Sequence, residues 1–169
     1  MKYTCPACGE VHNEWPALTF DSPYPYSVLS KKDKKQLAQL DSDFCSIKYE
    51  KQTDRFIRCS LVQEVAGSCQ NLDYGIWASL SEKSFNDYSD NFNIEDHETS
   101  YFGYLSNVLP GYESTLNIPA RVYTQKGNVR PEIVLDPDFN HPFVKDYYRT
   151  ISLSEAERRI REVLDSGVS

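Results

Sequence analysis

No basic footprint marks this chain. Its 18 lysines and arginines face 25 aspartates and glutamates, a formal net charge of −7. Nucleic-acid binding needs clustered positive charge, so no such partner is expected. The one basic cluster, Lys31-Lys32-Asp33-Lys34-Lys35, suits a solvated helix face. No apolar run approaches the roughly 20 residues of a membrane span. A candidate metal ligand at position 5 stands where the apolar segment of a signal peptide would be. The expected setting is therefore the cytoplasm, without membrane contact. There are only three histidines, and no nucleophile elbow, P-loop or dinucleotide-binding glycine pattern. The carboxylates form no recognisable acid–base pair, so no catalytic residue is assigned.

What is present begins at the amino terminus. Cys5-Pro6-Ala7-Cys8-Gly9-Glu10-Val11-His12 has the form of half a zinc knuckle. Pro6 presets the turn, and Gly9 can take the positive φ that lets backbone N–H groups approach two thiolates. Cys5, Cys8 and His12 are candidate Zn²⁺ ligands. The fourth must come from elsewhere. Cys45, at a loop-to-strand junction, is the first choice, and His141, held extended by Pro142, is the runner-up. Cys59 falls on a core face and Cys69 in a polar loop. Five cysteines with one close pair fit a metal site better than a disulfide framework. A thiolate-rich shell makes zinc a poor Lewis acid, which favours a structural site over a catalytic one.

One domain is expected over 1–169, with 1–26 as an irregular knuckle segment packed on an α+β body. Ser30 should cap a helix carrying Leu37 and Leu40 on one face. Strands are expected over 44–49, over 55–66 with Ile57, Cys59 and Leu61 on one side, and over 74–80 with Ile76, Ala78 and Leu80 inward. Ser81 should cap a helix to about Asn91, presenting Phe85, Tyr88 and Phe92. Glu95-Asp96-His97-Glu98 suits an exposed acidic loop. A hairpin over 121–135 should turn at Gly127-Asn128. Ser152 should cap a last helix, with Glu155 in the capping box, a stripe of Ala156, Ile160, Val163 and Leu164, and a stop at Gly167. The order predicts a mainly antiparallel sheet with a few helices.

Aromatics are plentiful: 12 Tyr, 8 Phe and 2 Trp. Trp77 lies on the strand face opposite Ile76 and Ala78, and Tyr101-Phe102-Gly103-Tyr104 clusters three rings. They either line an interface or sit under a second layer on the sheet.

These residues recur as ordered pieces. Cys5 to His12, Ser42-Asp43-Phe44-Cys45, Ile57-Arg58, Gly75 to Glu82, Tyr101 to Ser106, Leu109-Pro110-Gly111-Tyr112, Arg130-Pro131-Glu132-Ile133 and His141-Pro142 run through nearly the whole chain. Together they resemble the bacterial domain of unknown function DUF2199. The resemblance implies a single-domain bacterial protein and supports Cys5, Cys8, His12 and Cys45 as one set. Cys59 and Cys69 match no family cysteine. Asn140 and Phe143 replace the aspartate and leucine that flank His-Pro in the family. The resulting expectation is a non-enzymatic, zinc-stabilised domain that binds another protein, one form being an immunity protein that occludes a bacterial toxin. The alternatives are a zinc hydrolase with an open metal position and a CxxC redox protein.

Overall fold

A computed structural model describes residues 3–4, 11–12, 15–67 and 70–166. Cys5 and Cys8, and with them the zinc-knuckle reading, lie outside the described residues, as do Cys69 and Gly167. The elements run β1 (Tyr3–Thr4), β2 (Val11–His12), β3 (Leu18–Thr19), α1 (Tyr24–Ser27), α2 (Lys31–Leu37), β4 (Ala38–Leu40), β5 (Phe44–Lys48), β6 (Thr53–Gln63) and β7 (Leu72–Leu80). They continue with α3 (Glu82–Asp90), β8 (Ser100–Leu105), β9 (Pro119–Tyr123), β10 (Glu132–Leu135), α4 (Pro142–Tyr147) and α5 (Leu153–Ser166).

The main sheet closes on itself. Strands β7, β8, β9, β10 and β6 follow one another, and β6 pairs back to β7, giving a five-stranded barrel. β5 and β4 extend the sheet from β6, and β3 adds to β7. Among the described residues two strand pairings are parallel, β10 to β6 and β3 to β7, as is the isolated bridge from Val65 to Ile151. The other pairings are antiparallel. The α+β expectation with a mainly antiparallel sheet therefore holds, and closure adds what periodicity does not predict. A closed sheet hides the backbone edges that an open one exposes.

Alternation explains the barrel interior. Ile57, Cys59 and Leu61 of β6 are fully buried there, with Ile76 and Ala78 of β7 and Val122 of β9. Periodicity alone would leave the other face wet, yet Ile76, Trp77 and Ala78 are buried in succession. A second cluster of Cys45, Ile47, Phe56 and Trp77 lies on the outer face, packed under Phe20, Tyr26, Leu29, Leu37 and Leu40. The segment from β3 through β4 is the lid of that cluster.

Local signals hold at the helix starts. The hydroxyls of Ser30, Ser81 and Ser152 accept from the backbone N–H of Asp33, Ser84 and Glu155. Gly127 and Asn128 both take positive φ, +82° and +56°, between β9 and β10. Two expectations change. Leu40 does not share a helix face with Leu37, because Ala38 turns extended and starts β4. The stretch after the 136–138 loop holds a short helix, α4, with Pro142 in its first turn and His141 as its cap. Gly103 is fixed by packing: a Cβ there would lie 2.5 Å from the Ser79 carbonyl oxygen, where β8 crosses β7.

Candidate functional site

Among the described residues, no group of three or more His, Cys, Asp or Glu side chains is placed to hold a metal ion. Cys45 is a buried thiol in the outer cluster, beside Ile47, Phe56 and Trp77. Burial, and then the charge of Asp41, push its pKa up to about 12. Cys45 pairs with Phe56, whose other partner is Ser79 near the end of β7. Trp15, three residues after His12, is anchored near the start of β7 by its backbone N–H, which donates to the Gln70 side chain. Cys45 thus sits among packed apolar side chains on the outer wall. His141 uses both ring nitrogens: Nδ1 accepts from the Phe143 N–H at 3.1 Å, and Nε2 lies 3.0 Å from the Ser114 carbonyl, to which it must donate. Through the first of these bonds His141 caps α4. Cys59 is a core thiol, its pKa raised by burial.

His97 is not the solvated loop residue its acidic neighbours suggested. Its Nε2 lies 3.0 Å from the Tyr101 hydroxyl, which donates to Asp87 at 2.7 Å. Since Tyr101 gives its proton to Asp87, the histidine carries a hydrogen on Nε2. Burial, together with the Asp87 bond and charge, raises the Tyr101 pKa. The chain ties the loop after α3 back to that helix.

The most heavily bonded charge in the described structure lies on α5, where a polar-looking position hides it. Arg159 is 1% exposed. Its Nε donates to Glu155 at 2.8 Å, and its Nη1 to the Tyr74 hydroxyl at 3.2 Å. Its Nη2 donates to the Tyr112 hydroxyl and to Asp146, the latter at 3.3 Å. Tyr112 in turn donates to Asp146 at 2.6 Å. Gln63, on β6, donates to the backbone carbonyls of Asp146 and Arg149. The network joins α5, α4, the turn at Gly111-Tyr112 and the barrel. The shared bonds of Arg159, Tyr74, Tyr112 and Asp146 clamp these elements together, while the buried Gln63 Oε1 has no hydrogen-bond partner among the described residues.

The outer wall offers two other features. Arg58, on β6, stands over the Trp77 ring at 5.9 Å to the centroid. Its Nη1 reaches the Ser42 carbonyl only at 3.5 Å, and its buried Nε has no hydrogen-bond partner among the described residues. A buried donor left this way costs about 1–3 kcal/mol. Arg130 approaches from before β10 and donates through Nε to Asp43 at 2.9 Å, while Ser42 donates to the other oxygen of that carboxylate. Burial opposes the charge on Asp43, but these bonds and the two arginines outweigh it and lower its pKa. Burial and the charge of Arg130 lower that of Arg58.

The second feature is a groove of about 620 Å³ lined by Pro25, Arg55, Phe56, Phe102, Tyr104 and Leu116, among others. Phe102 and Tyr104 point outward from β8 and remain 51% and 40% exposed. Their rings meet edge to face, with centroids 5.1 Å apart. The two aromatic segments of the sequence thus part ways: Trp77 and Tyr101 are buried, whereas Phe102 and Tyr104 are offered to solvent. No helix among the described residues is long and apolar enough to cross a membrane.

No curated protein and no solved structure matches the chain. A family profile described as "Uncharacterized protein conserved in bacteria (DUF2199)" matches residues 4–151, which covers the barrel, the Arg58 and Arg130 wall and the exposed aromatic pair but leaves out α5. The chain belongs to this bacterial family.

Proposed function

We propose that this protein is a non-enzymatic protein-binding domain whose contact surface is the groove beside Phe102 and Tyr104. The exposed edge-to-face pair on a rigid barrel strand carries this reading. Such rings present large apolar area at little cost in lost freedom, and they dominate contact energetics when a partner covers them. Arg55, Asn117 and Ser84 supply polar groups at the groove for orientation. The net charge of −7 suits a basic partner and fast encounter with it. An immunity protein that occludes a toxin is the concrete form we favour.

The test is binding to cognate toxin candidates by calorimetry. The double variant Phe102→Ala/Tyr104→Ala should weaken capture by about 2 kcal/mol or more, roughly 30-fold, with the urea midpoint nearly unchanged. Equal affinity of the variant, or no specific partner among the candidates, would sink the proposal.

The same reading includes a zinc ion that ties the amino-terminal segment through Cys5, Cys8 and His12, with Cys45 or His141 as fourth ligand. The antiparallel pairing that sets His12 opposite Tyr3 supports it, because it returns the chain to within two residues of Cys5. Protein purified without chelator should contain one zinc per chain, with a sulfur and nitrogen shell by X-ray absorption. Cys8→Ser should abolish binding. Loss of zinc in Cys45→Ser, but not in His141→Asn, would identify the fourth ligand. A water in the shell would favour the hydrolase instead. No metal, with Cys5 and Cys8 oxidised to a disulfide, would favour the redox protein.

A further inference from the structure

We propose that Arg58 and Arg130 form a binding site for an oxyanion, a carboxylate or a phosphate group, on the outer wall of the barrel. The proposal stands apart from the aromatic groove and rests on an imbalance of donors. Four segments converge there: Arg58 from β6, Trp77 from β7, Ser42-Asp43 just before β5, and Arg130 before β10. Two carboxylates, Asp21 and Asp43, act on Arg58 through their charge, and Asp43 also holds Arg130. Asp43 takes a bond from Arg130 Nε through one oxygen and from the Ser42 hydroxyl through the other. Among the described residues neither carboxylate accepts a hydrogen bond from Arg58.

Arg58 is left with a long contact from Nη1 to a neutral carbonyl at 3.5 Å. Among the described residues its Nε has no hydrogen-bond partner, and no acceptor bonds its Nη2 or either Nη of Arg130. The contrast within the same molecule is sharp, since Arg159 places Nε, Nη1 and Nη2 on four partners. Arginine is the residue whose donors match planar and tetrahedral oxyanions. Trp77 supports the flat face of Arg58, and Asp43 holds Arg130 by its Nε, which leaves the Nη groups of both for a ligand. Side-chain exposure of 46% at Arg130 keeps this end open to solvent. The charge of Arg130 also disfavours that of Arg58, against the opposing charges of Asp21 and Asp43, and a bound anion would relieve that cost.

The test uses the full chain with ¹⁵N-labelled arginine. The Nε–Hε signals of Arg58 and Arg130 are followed while sodium phosphate, and separately sodium acetate, is added at constant ionic strength set with sodium chloride. Saturable shifts of both signals are expected, with affinity about tenfold weaker in Arg130→Gln. Arg130 is exposed enough for that variant to keep its fold, whereas Arg58→Gln is the more disruptive second variant. Arg121→Gln, an exposed arginine elsewhere on the barrel, should bind as the wild type does. Saturation with phosphate alone assigns a phosphorylated ligand, and saturation with acetate, alone or as well, admits a carboxylate. Linear shifts with both salts, or unchanged affinity in Arg130→Gln, would overturn the site.

Discussion

Arg159→Ala is expected to lower the free energy of unfolding by about 3–5 kcal/mol, as breaking a buried charged network does. The loss is large because the guanidinium is shared. The Tyr74 hydroxyl, the Tyr112 hydroxyl, Asp146 and Glu155 all lose a donor at once. Arg159→Met should recover the packing of the stem but not the bonds, so it should fall between wild type and alanine. Urea unfolding of the three proteins at neutral pH measures this directly. Near-equal midpoints would show that the network contributes nothing net.

A pH arm accompanies this prediction. The bond from Arg158, acting against burial and joined by the bond and charge of Arg159, holds the Glu155 carboxyl down to about 2, from an ordinary 4.5. A depressed carboxylate stabilises the fold fully above its unfolded value, and that stabilisation is lost as pH falls toward the folded value. Wild-type stability should therefore decline between about pH 4.5 and pH 2. In Glu155→Gln the part of the slope due to this residue should vanish. An unchanged slope in that variant would remove Glu155 from the acid response.

Trp77→Ala should cost a similar amount, about 3–5 kcal/mol, for a different reason. Trp77 is 0% exposed, and its ring fills the space between the barrel wall and the covering segment. Its indole N–H also donates to the Phe20 carbonyl at 2.9 Å. Truncation opens a cavity and strands that carbonyl. Trp77→Phe keeps most of the ring and should cost only about 1–2 kcal/mol. Native-state hydrogen exchange separates this effect from that of Arg159. In Trp77→Ala, protection should fall first in β4 and α2, whereas the barrel should keep its protection relative to the lowered global stability. Uniform loss across the chain would mean that the lid and the barrel unfold as one unit.

Local chemistry was legible in the sequence. The serines at 30, 81 and 152 cap helices because a hydroxyl and an N–H three residues later meet through local geometry alone. Gly127-Asn128 marks its turn for the same reason, and the apolar alternation at Ile57, Cys59 and Leu61 shows which face of β6 is inside. The family was legible too, as short ordered pieces spread over most of the chain.

Other features depended on contacts far apart in sequence. Alternation gives the period of a strand but not its partner, so the pairing of β6 with β7 that closes the barrel could not be read from either strand. Whether an outward-facing ring is wet depends on what lies over it. That is why Trp77 is buried under the segment around Leu29 and Leu37 while Phe102 and Tyr104, on the same outer surface, are open. A charged residue on an amphipathic helix looks solvated until its partners are known, and those of Arg159 sit as far back as Tyr74. His97 and Arg58 hid for the same reason, since a titratable side chain takes its role from the donors and acceptors that the fold brings to it. The sequence by itself determined the helix starts, the inner strand faces and the family. Tertiary structure alone decided the closed barrel, the exposed aromatic pair and the meeting of Arg58 with Arg130, because each requires segments that only long-range packing brings within a few ångströms.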